Sequence, residues 1–271
     1  MTRAIPSSLA PILTELEKEQ PTVITIVDLA RLASAARVRS DPRLIADRLR
    51  KLGWLLPTAI RGVFEFAPGA HAGPIGHGDP WLTVRAAAAS NPSLSLAVAG
   101  TSAMWAHRLL DRPPTRLHLV VGPHDHVSSS LAKAAHVTRF ESQVAPLRIA
   151  DVPVHSPATV LVHAAVHPSD IEPWTVAAEA LHDLVSLADR VELDAELRGR
   201  PKSVVARLAY LIHGVDPQLA DDLYPAPLAG QQHPKIRFGP RGSARRNSQR
   251  FGISDTILPF NPGQLARTDP T

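Results

Sequence analysis

Residues 40–66 read SDPRLIADRLRKLGWLLPTAIRGVFEF, and this run decides how the N-terminal region folds. Ser40 or Asp41 caps a helix, and Pro42 sits in its first turn, where a missing N–H costs nothing. Leu44, Ile45, Leu49 and Leu52 are expected on the buried face. At about 100° per residue, Arg43, Asp47 and Arg50 then project from the other side, with Arg48 and Lys51 on the flanks. Gly53 ends the helix. Trp54-Leu55-Leu56 and Val63-Phe64-Glu65-Phe66 flank a turn that contains Pro57, Arg61 and Gly62, which predicts a β-hairpin with a basic tip.

Working toward the N-terminus, Thr25-Ile26-Val27-Asp28 fits a capping box, in which the Thr25 hydroxyl and the Asp28 carboxylate satisfy each other's orphan N–H groups. A helix follows, burying Leu29, Leu32, Ala33 and Ala36. Thr22 to Ile24 is short and β-branched, a small strand. Leu9, Ile12, Leu13 and Leu16 define an earlier helix, capped by Ser7 or Ser8 and ending near Gln20. Three short helices and a hairpin within 67 residues are the elements of a winged helix-turn-helix. The fold class expected is α+β, with that unit followed by a larger mixed α/β C-terminal domain.

Working toward the C-terminus, residues 68–80 (PGAHAGPIGHGDP) are dominated by Pro, Gly and His and are expected to be a linker. Residues 81–230 are expected to form the α/β domain. Its helices are predicted from about Trp81, from Thr101 or Ser102 through Leu110, and over 160–166, 174–187, 193–197 and 203–212. An apolar run lies at 94–99, and strands are predicted at 116–121, 136–140 and 147–154. Residues 231–271 form a basic tail rich in Pro, Gly and Arg, with one short strand at Thr256 to Phe260, partly packed on the second domain. No internal repeat is visible.

Composition bounds the function. The 271 residues are 44% hydrophobic and 20% charged, enough for two cores. No cysteine occurs, which excludes disulfides, thiolate metal sites and cysteine nucleophiles and agrees with a reducing compartment. No run approaches the roughly 20 apolar residues that span a bilayer, so the expected location is cytoplasmic, away from membrane. Charge is uneven: residues 1–67 hold 10 basic and 7 acidic groups, residues 68–230 hold 12 and 16, and residues 231–271 hold 7 and 2. Basic ends suit a polyanion, and an acidic middle suits a protein partner.

The candidate DNA-binding residues follow from that reading. Arg43, Asp47 and Arg50 face outward to read bases; Arg37, Arg39, Ser40, Lys51 and Arg61 hold phosphates. The competing reading is a merely solvated helix face. Arg241, Arg245, Arg246 and Arg250 form a possible second phosphate contact, or a solubilising tail. His118, His124, Asp125 and His126 lack the helical spacing of a zinc motif; His77 with Asp79, and His163 with His167, nominate no complete ligand set, so no metal site is expected. Gly100-Thr101-Ser102 is read as a helix start rather than an anion site. No GxSxG, Walker A or GxGxxG pattern occurs, so no catalytic residue and no cofactor is expected.

The runs RLRKLGWLLPTAIRGVFEFAPG, DPWLTVRAA and AVAGTSAMWAHRLLDRPP resemble the AbiEi-type antitoxins of type IV toxin-antitoxin systems, particularly their mycobacterial and other actinobacterial branch. The likeness spans roughly Thr22 to Val166, and its most specific piece is AGTSAMWAHRLLDRPP. The resemblance implies an antitoxin whose winged helix represses its own operon at inverted-repeat operator DNA. Its second domain would counter a cognate nucleotidyltransferase toxin, in a complex that need not be stable. The family's DNA-contacting helix and wing fall on Arg39 to Lys51 and on the turn around Arg61. The tail after Tyr224 and the histidine-rich linker depart from the family. A monomer, or a dimer templated by the DNA, fits inverted repeats. Two alternatives stay open: enzymatic modification of the toxin by an atypical protein kinase, and a regulator whose second domain senses a small molecule.

Overall fold

The computed structural model describes residues 5–70, 75–228 and 231–265. The chain divides into two compact units, Met1–Ser95 with His124–His136, and Leu96–Pro123 with Val137–Thr271. This division differs from a boundary at 68–80.

The first unit begins with α1 (Ala10–Glu19), β1 (Val23–Thr25), α2 (Ile26–Ala35), α3 (Pro42–Lys51), β2 (Leu55–Pro57) and β3 (Val63–Phe66). The strands form an antiparallel sheet in the order β1-β3-β2. Leu13, Leu16, Leu29, Ile45, Leu49, Leu55 and Phe66 build one buried cluster beneath it. The capping box at the start of α2 is formed: Asp28 N donates to Thr25 Oγ1 at 3.1 Å and Thr25 N donates to Asp28 Oδ2 at 3.0 Å. At α1, Leu9 occupies the N-cap with no side-chain bond, so neither Ser7 nor Ser8 caps it. Ala36, expected in the core, is instead the half-buried C-cap of α2.

Beyond β3 the chain stays attached to this unit. Gly69 N donates to Glu17 Oε1, and His77 N and the His77 ring reach the buried Glu65 carboxylate on β3. Asp79 accepts from Trp81 N at 2.9 Å and from Arg85 Nε at 2.7 Å, anchoring α4 (Leu82–Ser90), which packs on β1 and β3. The described parts of the expected linker, 68–70 and 75–80, are therefore bonded rather than free; 71–74 lie outside the described residues.

The second unit holds a five-stranded sheet, formed by β4 (Leu96–Val98), β5 (His118–Val121), β6 (His136–Arg139), β7 (Leu147–Ile149) and β8 (Val152–Val154) in the order β6-β5-β4-β8-β7. Between β4 and β5 lies α5 (Gly100–Ala106); α6 (Ser129–Ala134), which belongs to the first unit, precedes β6. The stretch expected to be one strand, 147–154, is a hairpin. Ala150 and Asp151 take φ of 48° and 58°, which turns the chain back on itself. Helix α5 starts at Gly100, not at Thr101 or Ser102, and stops short of Leu110 because Arg108 is left-handed at φ 63°. Ser102 Oγ accepts from His118 N at 2.8 Å instead of capping, and a Cβ at Gly100 would overlap the His118 ring.

Helices α7 (Pro157–Val166), α8 (Trp174–Leu187), α9 (Arg190–Leu197), α10 (Lys202–Ile212) and α11 (Pro217–Leu223) complete the unit with β9 (Ile236–Phe238), β10 (Arg246–Ser248) and β11 (Ile253–Asp255). α7 is buried from Pro157 to Ala165 and touches α5, α8, α9 and α10. The fully buried Glu196 carboxylate holds the surrounding loops. It accepts from Ser142 Oγ, Gln143 N, Val144 N, Thr159 Oγ1 and Arg200. The tail strand ends at Asp255 rather than running over 256–260, because the Asp255 side chain accepts from the N–H groups of Ile257 and Leu258 and turns the chain. Burial and the neighbouring Asp255 push the Tyr210 hydroxyl above its usual pKa.

Around His163 the core is crowded with imidazoles. The rings of His118, His155 and His167 lie 5.4, 6.1 and 5.9 Å from it, and Phe140 lies 4.8 Å away. Burial lowers the pKa of His163, and it lowers that of His155 to about 3. Both are neutral in the native state but protonate near pH 6.5 when the chain unfolds. The unfolded state binds more protons in this window, so stability is complete above about pH 6.5 and declines as pH falls toward 3. For His155 alone the loss reaches about 2 kcal/mol at about pH 5. Urea unfolding between pH 7.5 and 5 should show this decline, and His155→Leu should flatten it; an unchanged slope would contradict the burial argument.

Candidate nucleic-acid interface

Local chemistry sets the frame of α3. Asp41 accepts from Arg43 N at 2.7 Å as the N-cap, and Pro42 occupies the first position. At the other end Gly53, at φ 78°, closes the helix: Gly53 N donates to Arg50 O and Trp54 N to Leu49 O. The helix buries Ile45, Ala46 and Leu49. Leu44 was expected among them but is 60% exposed, and Leu52 is only half-buried. Ala46 lies inward, about 160° round the helix from Leu44, so Leu44 turns outward.

That roll reassigns the outward face. At about 100° per residue, the direction opposite Ile45, Ala46 and Leu49 falls between Asp47 and Lys51, with Leu44 and Arg48 beside them. Arg43 and Arg50 stand together on one flank. Arg43, Arg48, Arg50 and Lys51 are all exposed. Asp47 is the one carboxylate of the helix. Lys51 Nζ lies 2.8 Å from it and Arg50 3.2 Å, and hydrogen bonds from Lys51 and then Arg50 hold its carboxyl below the usual pKa. Asp47 thus spends its oxygens on its own helix.

Flanking the helix, Arg37 and Arg39 are exposed and Ser40 is half-buried in the connection from α2. Arg37 is left-handed at φ 54°, and its N–H and that of Val38 bond Ser34 O and Ala33 O to close α2. Glycine takes this conformation at no steric cost, whereas arginine pays for its Cβ. Arg61 is exposed at the tip of the β2–β3 hairpin, beside Gly62 at φ 79°. Arg37, Arg39, Arg43, Arg50, Lys51 and Arg61 are thus all exposed on the first unit's surface, Arg50 and Lys51 paired with Asp47. The sequence pattern had placed Lys51 on a flank and Leu44 inside, whereas both face outward, and Arg48 stays on a flank as expected.

The other sequence candidates lie elsewhere. Arg245 and Arg246 donate to the carbonyls of Ile257 and Leu258, and Arg250 pairs with Asp221 and lies over the Phe251 ring. These bonds fasten the tail to its own unit, which gives the three guanidiniums a structural role. Arg241 is exposed. Among the described residues no group of three or more His, Cys, Asp or Glu is placed to hold a metal; His118 Nε2 instead meets Thr138 Oγ1 at 2.9 Å, and Asp125 accepts from Ser95 N. No helix of the described residues is long and apolar enough to cross a membrane.

Residues 96–214 match the family described as the AbiEi antitoxin C-terminal domain. The crystal structure of the RV2827C protein from Mycobacterium tuberculosis is similar over 94% of each chain, with a TM-score of 0.78 and 26% sequence identity. No curated protein matches the sequence. The matched stretch contains AVAGTSAMWAHRLLDRPP, the run on which the likeness to AbiEi-type antitoxins was most specific.

The roll of α3 has a direct test in thermal stability. Leu49→Ala empties a fully buried site and should cost about 2–5 kcal/mol, whereas Leu44→Ala should leave the melting temperature within about a degree or two. Equal losses at the two leucines would show that α3 is seated differently.

Proposed function

We propose that this protein is an antitoxin that also binds operator DNA upstream of its own gene and represses it, through the first unit acting as a winged helix-turn-helix; the match of residues 96–214 to the AbiEi antitoxin C-terminal domain supports the antitoxin half. One observation carries the DNA half: α3 turns four cations and a single carboxylate outward, and exposed arginines stand on both sides of it, at Arg37 and Arg39 and at the hairpin tip, Arg61. A helix of this polarity fits the major groove. Since Asp47 is held by Lys51 and Arg50, Arg43 and Arg50 are the residues proposed to fork onto guanine O6 and N7. Arg37, Arg39, Ser40, Lys51 and Arg61 contact phosphate, which positions the helix without reading sequence. Arginine stands at the left-handed position 37 although glycine would serve the fold as well, which supports this assignment.

The antitoxin half is proposed to act on a nucleotidyltransferase toxin in the cytoplasm, by binding rather than by chemistry. Two copies on inverted repeats would follow the two-fold symmetry of the DNA, so a monomer in solution suffices.

Repression is read from a reporter fused to the DNA upstream of this gene. Wild-type protein should silence it. Arg43→Ala or Arg50→Ala should weaken operator binding by about 1–3 kcal/mol if the guanidinium forks onto a base. Arg37→Gly should lower affinity while leaving the melting temperature unchanged or higher. If all three variants repress like the wild type, this docking is wrong. For the toxin, a nucleotidyltransferase reading frame beside the gene should arrest growth alone and not in the presence of this protein, and Arg43→Ala should still rescue growth.

A further inference from the structure

Leu44 is a large apolar side chain, 60% exposed, on a helix face otherwise made of cations and one neutralised carboxylate. Isolated surface leucines are ordinary and need no explanation. This one differs by position. It lies in the first turn of α3, two residues after Pro42, and within about 30° of the direction opposite the buried Ile45, Ala46 and Leu49. Arg48 lies one turn further along the same face and Lys51 two turns along, so Leu44 sits at the head of a cationic ridge.

The first turn of a recognition helix is the part that reaches base edges. The major groove offers one apolar group of any size there, the C5-methyl of thymine; the other base edges present donors, acceptors and the small C5–H of cytosine. A leucine facing a donor or acceptor would desolvate it without replacing its hydrogen bond. Facing the methyl, it removes apolar surface from water on both sides. We propose that Leu44 packs on a thymine methyl and so specifies thymine at one position of each half-site, next to the bases read from the Arg43 and Arg50 flank. This rests on the DNA-binding reading above and adds to it the base that the apolar residue selects.

The test starts from a randomised duplex pool, so no operator need be known. Wild-type protein and Leu44→Ala, whose exposed position leaves the fold intact, are each used to select bound sequences. The wild type should enrich a motif with an invariant thymine, and replacing that thymine by uracil, which deletes only the methyl, should weaken binding about four-fold, the effect of burying one methyl group. Leu44→Ala should retain the rest of the motif, lose the thymine preference and bind the thymine and uracil duplexes equally. Undiminished discrimination between thymine and uracil by Leu44→Ala would overturn the assignment, as would a wild type indifferent to the methyl at every thymine of its motif. Failure of the wild type to enrich any motif would instead remove the DNA-binding reading itself.

Discussion

Burial of Ile45, Ala46 and Leu49 fixes the rotation of α3 about its own axis, and the order of the charges on its outer face depends on that rotation. A ten-residue helix is marginal by itself. Here it is clamped at both ends, by the Asp41 cap and by the Gly53 closure that leads directly into the buried Trp54 and strand β2. The helix can neither fray nor roll without exposing Leu49 or burying a charge. Cations on its far side are therefore held in a defined order, and Asp47, placed among them, draws in Lys51 and Arg50 rather than facing outward alone.

Much of this was legible in the sequence, and what was not has identifiable causes. Caps at Thr25 and Asp41, the break at Gly53 and the strand Val63–Phe66 depend on side chains within three or four residues, and local reading found them. The roll of α3 escaped because Leu44 and Ala46 stand on opposite edges of the apolar face, and only the packing partners decide which edge turns inward. The hairpin at Ala150-Asp151 escaped because neither residue announces a left-handed backbone as glycine would. The helices 129–134 and 217–223 were not foreseen, being six and seven residues long, too short for a periodic pattern. What local reading did not show in residues 68–80 is that Glu17 and Glu65, distant in sequence, supply acceptors that fasten Gly69 and His77.

In the second unit the same logic operates with polar groups inside. Glu196 would be costly to bury alone, and five donors surround it, from α7, from the loop at 142–144 and from Arg200 just beyond α9, so the geometry of these segments is over-determined. The matched stretch 96–214 ends before the tail, yet the tail strands cover α10 and bury Phe238 and Phe251. The tail is part of this unit's fold, which is why its arginines bond carbonyls and Asp221 within it.

The most direct test of the account is an equilibrium titration of the whole protein with a labelled duplex from immediately upstream of its gene, beside a scrambled duplex of equal length, at two salt concentrations. The account predicts tighter binding to the upstream duplex, by a factor on the order of a thousand or more, and weakening on both duplexes as salt rises, since exposed cations displace counterions from phosphate. Equal affinity for the two duplexes, or none for either, would mean that the cationic face of α3 serves another partner and would leave the antitoxin assignment resting on the second unit alone.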